Sequence, residues 1–375
     1  MKEILCLKRK WLLTLLPISI LIILICKALP FVAEYIFARG IYRVLAIVLG
    51  TITRWFPFSV GEICIYVLPF VALFFFGRFI FKLIKAKGKR MVTFGKGILN
   101  FFCVISIGIF AFVMLCGTNY YRYRFETYLD YTLDEYTKTD LYNLCDYLVE
   151  KLNESRENVQ TDKDGITKSS YEDTGELLDV AGEVMSDFSK NYAALRYSTG
   201  EVKPVLASRA MSYTETVGIY IPFTMEANIN IDTIYYNQPV DAIHELAHLR
   251  GIMLEDEANY IAYLACISSN EPDFIYSGYM LAYIYASNQL YDEDIELYSH
   301  IIDKLSDGVK IDLTANHIYW KQFDTPTGNK IANVSNKLND TYLNINGQEQ
   351  GTKSYGMVVD LLIAEYKEKV DENNK

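Results

Sequence analysis

Long runs of apolar residues dominate the first third of the chain. Residues 11–25, 63–80 and 98–116 are nearly free of charged side chains. With a few flanking residues, each run reaches the roughly 18 to 20 residues that an α-helix needs to cross a bilayer. The pattern predicts three transmembrane helices within residues 1–116. The first run lacks a small-residue cleavage site, which favours a retained anchor over a removed signal peptide.

Basic residues flank these runs unevenly and predict their orientation. Four precede the first run, and six fill the 82–97 connector between the second and third runs. Because short basic flanks stay in the cytoplasm, we expect the N-terminus and this connector inside and the chain after Cys116 outside. The aromatic 31–58 connector is predicted to lie as an amphipathic helix along the outer surface of the membrane lipid, with a fourth, hairpin-like span as the alternative.

Beyond residue 116 the pattern changes to amphipathic segments. Residues 218–224 and 228–236 have the composition of strands, and the polar stretch 153–173 is predicted to be a mobile loop. Apolar residues recur at helical spacing in residues 132–152, 175–195, 275–290, 292–305 and 355–367. The sequence therefore predicts a membrane anchor, residues 1–116, followed by a mainly α, α+β domain over residues 117–375.

Charge follows the same division. Residues 1–116 carry 15 Lys and Arg against 3 Asp and Glu, whereas residues 117–375 carry 21 against 43. An acidic domain repels phosphates, so nucleic acid is not expected as a partner. Cys145 and Cys266 are the cysteines of this domain, and we expect two buried thiols, with one disulfide as the alternative.

A short histidine motif carries the strongest chemical signal. Residues 244 to 248 read His-Glu-Leu-Ala-His, and they include two of the four histidines of the chain. On a helix, His244 and His248 are spaced i and i+4, so both can bind one zinc ion, and Glu245 can take the proton of a metal-bound water. The helix is predicted from residue 240, with Asp241 as its N-terminal cap and Gly251 at its end. His300 and His317 have no partner at metal-binding spacing and are not expected to be ligands.

A catalytic zinc ion needs a third protein ligand. If a second helix begins near residue 254, Glu255 shares a face with three alanines that would let this helix approach the first: Ala258, Ala262 and Ala265. Glu255 is the predicted ligand and Glu257 the weaker alternative, while Asn259 could hold a ligand histidine through its other ring nitrogen. A simpler interpretation is that the acidic residues at 255–257 only favour a helix start.

The motif resembles the gluzincin metallopeptidases, whose third ligand is a glutamate in a Glu-x-x-x-Asp/Asn pattern on the next helix. This resemblance implies a zincin-like fold, Zn²⁺ as cofactor, and Glu255 as the ligand beside His244 and His248. The string HELAHLRGIMLEDEANYIAYLAC, with GIYIPFTMEANIN upstream and KSYGMVVDLLIAEY near the end, resembles the bacterial membrane family called domain of unknown function 3810. That likeness covers most of the chain. Only six residues separate His248 from Glu255, so a tight turn at Gly251 is required.

The sequence predicts a multi-pass plasma-membrane zinc metallopeptidase that hydrolyses a peptide or protein substrate outside the cytoplasm. Residues 219–223 are the candidate edge strand for pairing with extended substrate, with an ordinary core strand as the alternative. Tyr355 is a candidate donor to the substrate oxyanion. The competing hypothesis is a noncatalytic, membrane-tethered binding or sensor domain in which zinc only fixes two helices. An intramembrane protease is disfavoured because charged residues crowd the motif: Asp241, Arg250, Glu255, Asp256 and Glu257.

Overall fold

The computed structural model describes residues 8–196, 200–346 and 355–373. The chain is mainly helical and forms two compact units. Met1–Tyr123 and the short segment Ile221–Met225 make up the first unit, and Arg124–Tyr220 with Glu226–Lys375 make up the second. The change of unit at Tyr123 comes seven residues after the predicted boundary at Cys116.

Within the described residues, the first unit contains four helices that are long and apolar enough to cross a membrane. They are α1 (Lys8–Ala28), α2 (Val32–Thr53), α3 (Val60–Lys85) and α4 (Arg90–Leu115). These helices are consistent with membrane association. The sequence predicted three spans and left a fourth, within the 31–58 connector, as the alternative. Helix α2 lies in that connector and is a fourth candidate span, because it accumulates enough apolar residues between its few charges.

The relative directions of these helices follow from a few contacts. The Cys103 thiol of α4 donates to the Arg9 carbonyl of α1 at 3.4 Å, and Ile23 of α1 packs against Gly117, just beyond α4. Both pairs are 94 residues apart in the sequence, and this constant offset means that α1 and α4 run parallel. Phe79 of α3 packs against Gly97 of α4 across the short 86–89 turn, so α3 runs antiparallel to α4.

Helix α2 therefore begins and ends at the same end of this helix group. Helix α2 begins near the C-terminal end of α1 and ends near the N-terminal end of α3. Because α1 runs parallel to α4 and α3 runs antiparallel to it, both of these ends lie beside the C-terminal end of α4. A buried ion pair between Glu34 of α2 and Arg122, which follows α4, is consistent with this position. The buried face of α2 carries mostly small side chains, and its exposed face is apolar: Val44, Ile47, Val48 and Ile52.

A three-stranded sheet with the order β1-β3-β2 lies in the second unit, except for Ile221 at the end of β2, which is assigned to the first. Its strands are β1 (Val202–Pro204), β2 (Gly218–Ile221) and β3 (Glu226–Ile229), and β1 pairs with β3 in parallel. Strand β3 is central and buried throughout, whereas β2 lies at an edge. The predicted strand 218–224 thus ends early, at Ile221, before a turn. The predicted strand 228–236 is wrong beyond Ile229, since a turn there leads directly into the next helix.

Helices surround this sheet. Three of them, α7, α12 and α13, were not predicted, because α7 is only five residues long and few of the apolar residues of α12 and α13 are buried. The helices of the second unit are α5 (Lys138–Arg156), α6 (Thr174–Phe188), α7 (Ser208–Ser212), α8 (Asn237–Leu249), α9 (Glu255–Ile267), α10 (Pro272–Glu293), α11 (Ile295–Asp303), α12 (Asp307–Lys321), α13 (Pro326–Ile345) and α14 (Tyr355–Asn373). Helix α5 begins later than predicted, because Thr137 and Asp140 form a capping box there.

The second unit contains two buried cysteines and a polar segment fixed by a distant carboxylate. Cys145 and Cys266 are both buried free thiols, as expected. The predicted mobile loop at 153–173 is instead anchored, because the buried Asp312 carboxylate accepts hydrogen bonds from the Thr167 backbone and hydroxyl. A polar segment can be fixed in this way by a partner far along the chain, which local composition does not reveal.

Candidate metal centre

Helix α8 presents the histidine motif. Its apolar residues Ala242, Ile243, Leu246 and Ala247 are all buried, which fixes the rotation of the helix. The helix begins at Asn237 with Pro239 in its first turn, earlier than predicted. Asp241 is therefore not the N-terminal cap and lies inside the helix.

Gly251 ends α8 in the way that the sequence predicted. It adopts a φ of 84°, which a glycine tolerates because it has no Cβ. The Ile252 amide donates to the Ala247 carbonyl at 3.1 Å and the Gly251 amide to the His248 carbonyl at 2.9 Å, the two bonds of a Schellman motif. The turn brings the Ile252 carbonyl to His248 Nδ1 at 2.7 Å. Since a carbonyl can only accept, Nδ1 carries the proton and Nε2 of His248 is left as a ligand.

Helix α9 then brings Glu255 to the two histidines. Ala258, Ala262 and Ala265 are completely buried, in agreement with the face predicted from their spacing. Glu255 Oε2 lies 3.3 Å from His244 Nε2, and Glu255 Oε1 lies 3.6 Å from His248 Nε2. The ligand atoms of these three residues all lie within 4.8 Å of one another.

These separations fit a zinc ion. Zinc bonds of about 2.0 to 2.2 Å in tetrahedral geometry place neighbouring ligand atoms about 3.3 to 3.5 Å apart. Two imidazole nitrogens and one carboxylate are a donor set that leaves a fourth position open. His244, His248 and Glu255 would hold the ion, and the Ile252 carbonyl would fix one of the ligands.

The three side chains are electrostatically coupled. Burial works against the charge on Glu255, but the positive charge of His248 and hydrogen bonds from both histidines hold the pKa of Glu255 well below its usual range. Burial likewise opposes protonation of His248, yet Glu255 raises the pKa of His248 to about 9. Without a metal ion, the protonated His248 therefore supplies the positive charge that the Glu255 carboxylate favours.

Glu245 lies beside this cluster without joining it. Its side chain is buried, and its Oε2 accepts no hydrogen bond from the part of the chain that the structure describes. Burial raises the pKa of Glu245 to about 8, although the positive charge of His248 opposes the shift. Gly218, the first residue of β2, lies against this carboxylate, since a Cβ there would come within 2.3 Å of Glu245 Oε1. An edge strand therefore starts directly beside a buried carboxylate of near-neutral pKa.

Among the described side chains, the other candidate residues do not join this cluster. Glu257 is buried, accepts from the Phe125 amide at 3.0 Å and pairs with Arg124 at 3.0 Å, so it does not join the cluster. Among the described residues, no hydrogen bond joins Asn259 to either histidine. The role predicted for Asn259, a hydrogen bond to the second ring nitrogen of a ligand histidine, belongs at His248 to the Ile252 carbonyl. Tyr355 begins α14, but its side chain lies outside the described residues.

A family model described as a protein of unknown function (DUF3810) matches residues 37–363. The match includes most of α2, all of α3 and α4, and the cluster of His244, His248 and Glu255. Because it covers well over half of the 375 residues, the chain belongs to the DUF3810 family, as the sequence resemblance indicated. Searches of curated proteins and of solved structures returned no match to the chain.

A glycine substitution can test the role of the turn after α8. Gly251→Ala should destabilise the protein by about 1 to 2 kcal/mol, because a Cβ is strained at this φ. The turn should also move the Ile252 carbonyl away from His248 and weaken zinc binding by about 10- to 100-fold. Denaturant unfolding and competition with a zinc-binding dye would measure both effects.

Gly182→Ala is the matched control for that substitution. A Cβ at Gly182 meets nothing within 4 Å, and Gly182 lies inside α6. This change should leave zinc binding unaltered and stabilise the helix by about 0.5 to 1 kcal/mol. If both variants bound zinc like the unchanged protein, the turn would not position His248.

Proposed function

We propose that this protein is a membrane-anchored zinc metallopeptidase of gluzincin type that hydrolyses peptide bonds outside the cytoplasm. One observation carries the proposal: a His, His and Glu cluster of metal-binding geometry lies beside a buried, unsatisfied carboxylate and the start of an edge strand. A purely structural metal site would have no use for Glu245. Burying an unsatisfied carboxylate oxygen destabilises the folded protein, and a catalytic role would explain why this cost is tolerated.

Each residue has a defined task in this proposal. His244, His248 and Glu255 would hold zinc, which as a Lewis acid would polarise the scissile carbonyl and make water more acidic. Glu245 accepts the proton of the attacking water and returns it to the leaving amine, so that water adds to the carbonyl carbon and the C–N bond breaks. A pKa of Glu245 near neutrality suits a group that both takes and returns a proton.

Strand β2 supports a peptide as the substrate. Because β2 is an edge of the sheet and begins against Glu245, an extended substrate paired with it would pass the proposed catalytic residue. The absence of a side chain at Gly218 lets this backbone approach closely. The segment predicted for the task, 219–223, overlaps β2 only as far as Ile221, and Pro222 lies in the following turn.

We further propose that three helices cross the membrane, α1, α3 and α4, while α2 lies along its surface. The parallel directions of α1 and α4 and the position of both ends of α2 support this arrangement. It puts the basic residues at the start of α1 (Lys8, Arg9 and Lys10) and those around the α3–α4 turn at one end of the helices, where they would share the cytoplasmic side. The chain beyond Arg122 leaves from the opposite end. Four crossings would separate the two basic clusters.

Reporter fusions test this topology in intact cells. Reporters that follow Leu29 or Phe56 should both be active only outside the cytoplasm, because α2 returns to the side from which it started. A reporter that follows Lys87 should be active only inside, and one that follows Tyr120 only outside. If the Leu29 and Phe56 fusions reported opposite sides, α2 would cross the membrane and the proposed topology would be wrong.

A further inference from the structure

A pocket of about 550 Å³ lies in the second unit outside the zinc cluster. Its aromatic part is formed by Phe323, which is buried, and by Trp320, which is partly exposed at the end of α12. Its polar part consists of side-chain amides and two carboxylates: Glu215, Asp324, Asn329 and Asn336. Helix α13, which follows Asp324, contributes the amides.

Hydrogen bonds within the pocket leave it rich in acceptors. Asn336 Nδ2 donates to Glu215 at 3.0 Å, and Asn329 Nδ2 donates to Asp324 at 2.8 Å. Within the described ranges, neither carboxylate forms an ion pair with Lys, Arg or His. The nearby Arg209 stacks on Phe323 at 4.5 Å, but it already pairs with Asp232 at 3.0 Å. Among the described residues, the side-chain donors to these two carboxylates are therefore neutral amides.

Gly218 links the pocket to the proposed catalytic residue, because it is near Glu215 in the sequence and touches Glu245 in space. Glu215 precedes Gly218 by three residues, and an extended chain of that length spans at most about 11 Å. Gly218 in turn lies against the Glu245 carboxylate. In a substrate strand paired alongside β2, the side chain that enters the pocket would therefore be about two or three residues from the peptide bond cleaved beside Glu245.

We propose that this pocket is a specificity subsite for a basic side chain, lysine or arginine, of the substrate. A cation would satisfy both carboxylates and could stack on the Trp320 ring, where an aromatic face attracts positive charge. The aliphatic part of a lysine or arginine side chain would contact Phe323. The proposal rests on the proposed peptidase function, because the position of the subsite is defined relative to β2 and Glu245.

Binding to an inactive variant tests the subsite without catalysis. The full-length Glu245→Gln protein in detergent should bind a labelled pentapeptide with central arginine about tenfold more tightly than the same peptide with citrulline, which has the same shape but no charge. Adding Glu215→Gln and Asp324→Asn should abolish this difference. Fluorescence anisotropy would measure both affinities.

The control removes the same charge elsewhere. Asp179→Asn with Glu183→Gln changes two exposed carboxylates on α6, and the preference for arginine over citrulline should remain. Equal affinity for the two peptides in the starting protein would refute the subsite. A second experiment profiles cleavage of a mixed peptide library by the unchanged protein. Cleavage without a nearby preference for lysine or arginine would also refute the subsite, but would leave the peptidase intact. Arginine-selective binding without any cleavage would refute the peptidase alone.

Discussion

Replacing Glu245 with glutamine is expected to lower peptide hydrolysis by about 10²- to 10⁴-fold or more, because the amide cannot accept the water proton. Glutamine has nearly the same shape, and Glu245 is not among the three residues whose ligand atoms converge. Zinc content and the unfolding midpoint should therefore stay close to those of the unchanged protein. Initial rates on a cleaved peptide, together with zinc analysis of the same sample, would measure these effects.

The control for this variant is Glu183→Gln, the same chemical change at an exposed site on α6. It should leave the rate unchanged. Two results would contradict the mechanism: full activity in the Glu245→Gln protein, or a zinc-loaded native protein that cleaves nothing in a broad peptide library. The second result would favour the noncatalytic, zinc-stabilised binding or sensor domain.

Loss of any one of the three cluster residues should remove the metal. His244→Ala, His248→Ala and Glu255→Ala are each expected to reduce zinc from about one ion per chain to near zero after dialysis, since two ligands rarely retain zinc.

The affinity for zinc should also depend on pH. Zinc needs neutral His248, whose pKa is about 9 without metal, so affinity should rise from pH 7 to about 9 and then level off. Atomic absorption and dye competition at several pH values would measure both.

Glu257→Gln distinguishes ligand loss from general damage. Glu257 contacts Arg124 and the Phe125 amide, so this variant should lose stability yet keep its zinc. The opposite ranking, in which Glu257→Gln releases zinc and Glu255→Ala retains it, would show that the cluster of the structure does not hold the metal. A flat pH profile would mean that His248 is not a ligand.

Much of the candidate site could be predicted because its geometry is local. The i, i+4 spacing fixes the two histidines, a glycine is needed for the turn at residue 251, and the alanines of α9 identify the face that carries Glu255. Each of these relations spans a few residues and depends on helix geometry alone. The Ile252 carbonyl at His248 could have been anticipated from the Schellman turn.

Long-range contacts could not be predicted in this way. Gly218 is 27 residues from Glu245, and only the packing of β2 against α8 reveals that they touch. Asp312 anchors Thr167 from 145 residues away. Helices α12 and α13 expose many polar residues, so their apolar pattern was too weak to find them, and the pocket they form was missed as well. The direction of α2 likewise depends on how its neighbours pack.

Segment Ile221–Met225 belongs to the first unit, although its neighbours on both sides along the chain belong to the second. The polypeptide consequently changes unit at three peptide bonds: after Tyr123, after Tyr220 and after Met225. An ordinary domain boundary is crossed once, so a gene cut at that point still encodes a piece that can fold. A fragment starting at Arg124 would carry Ile221 away from Gly61, against which it packs. We therefore expect that neither unit folds correctly when it is produced without the other.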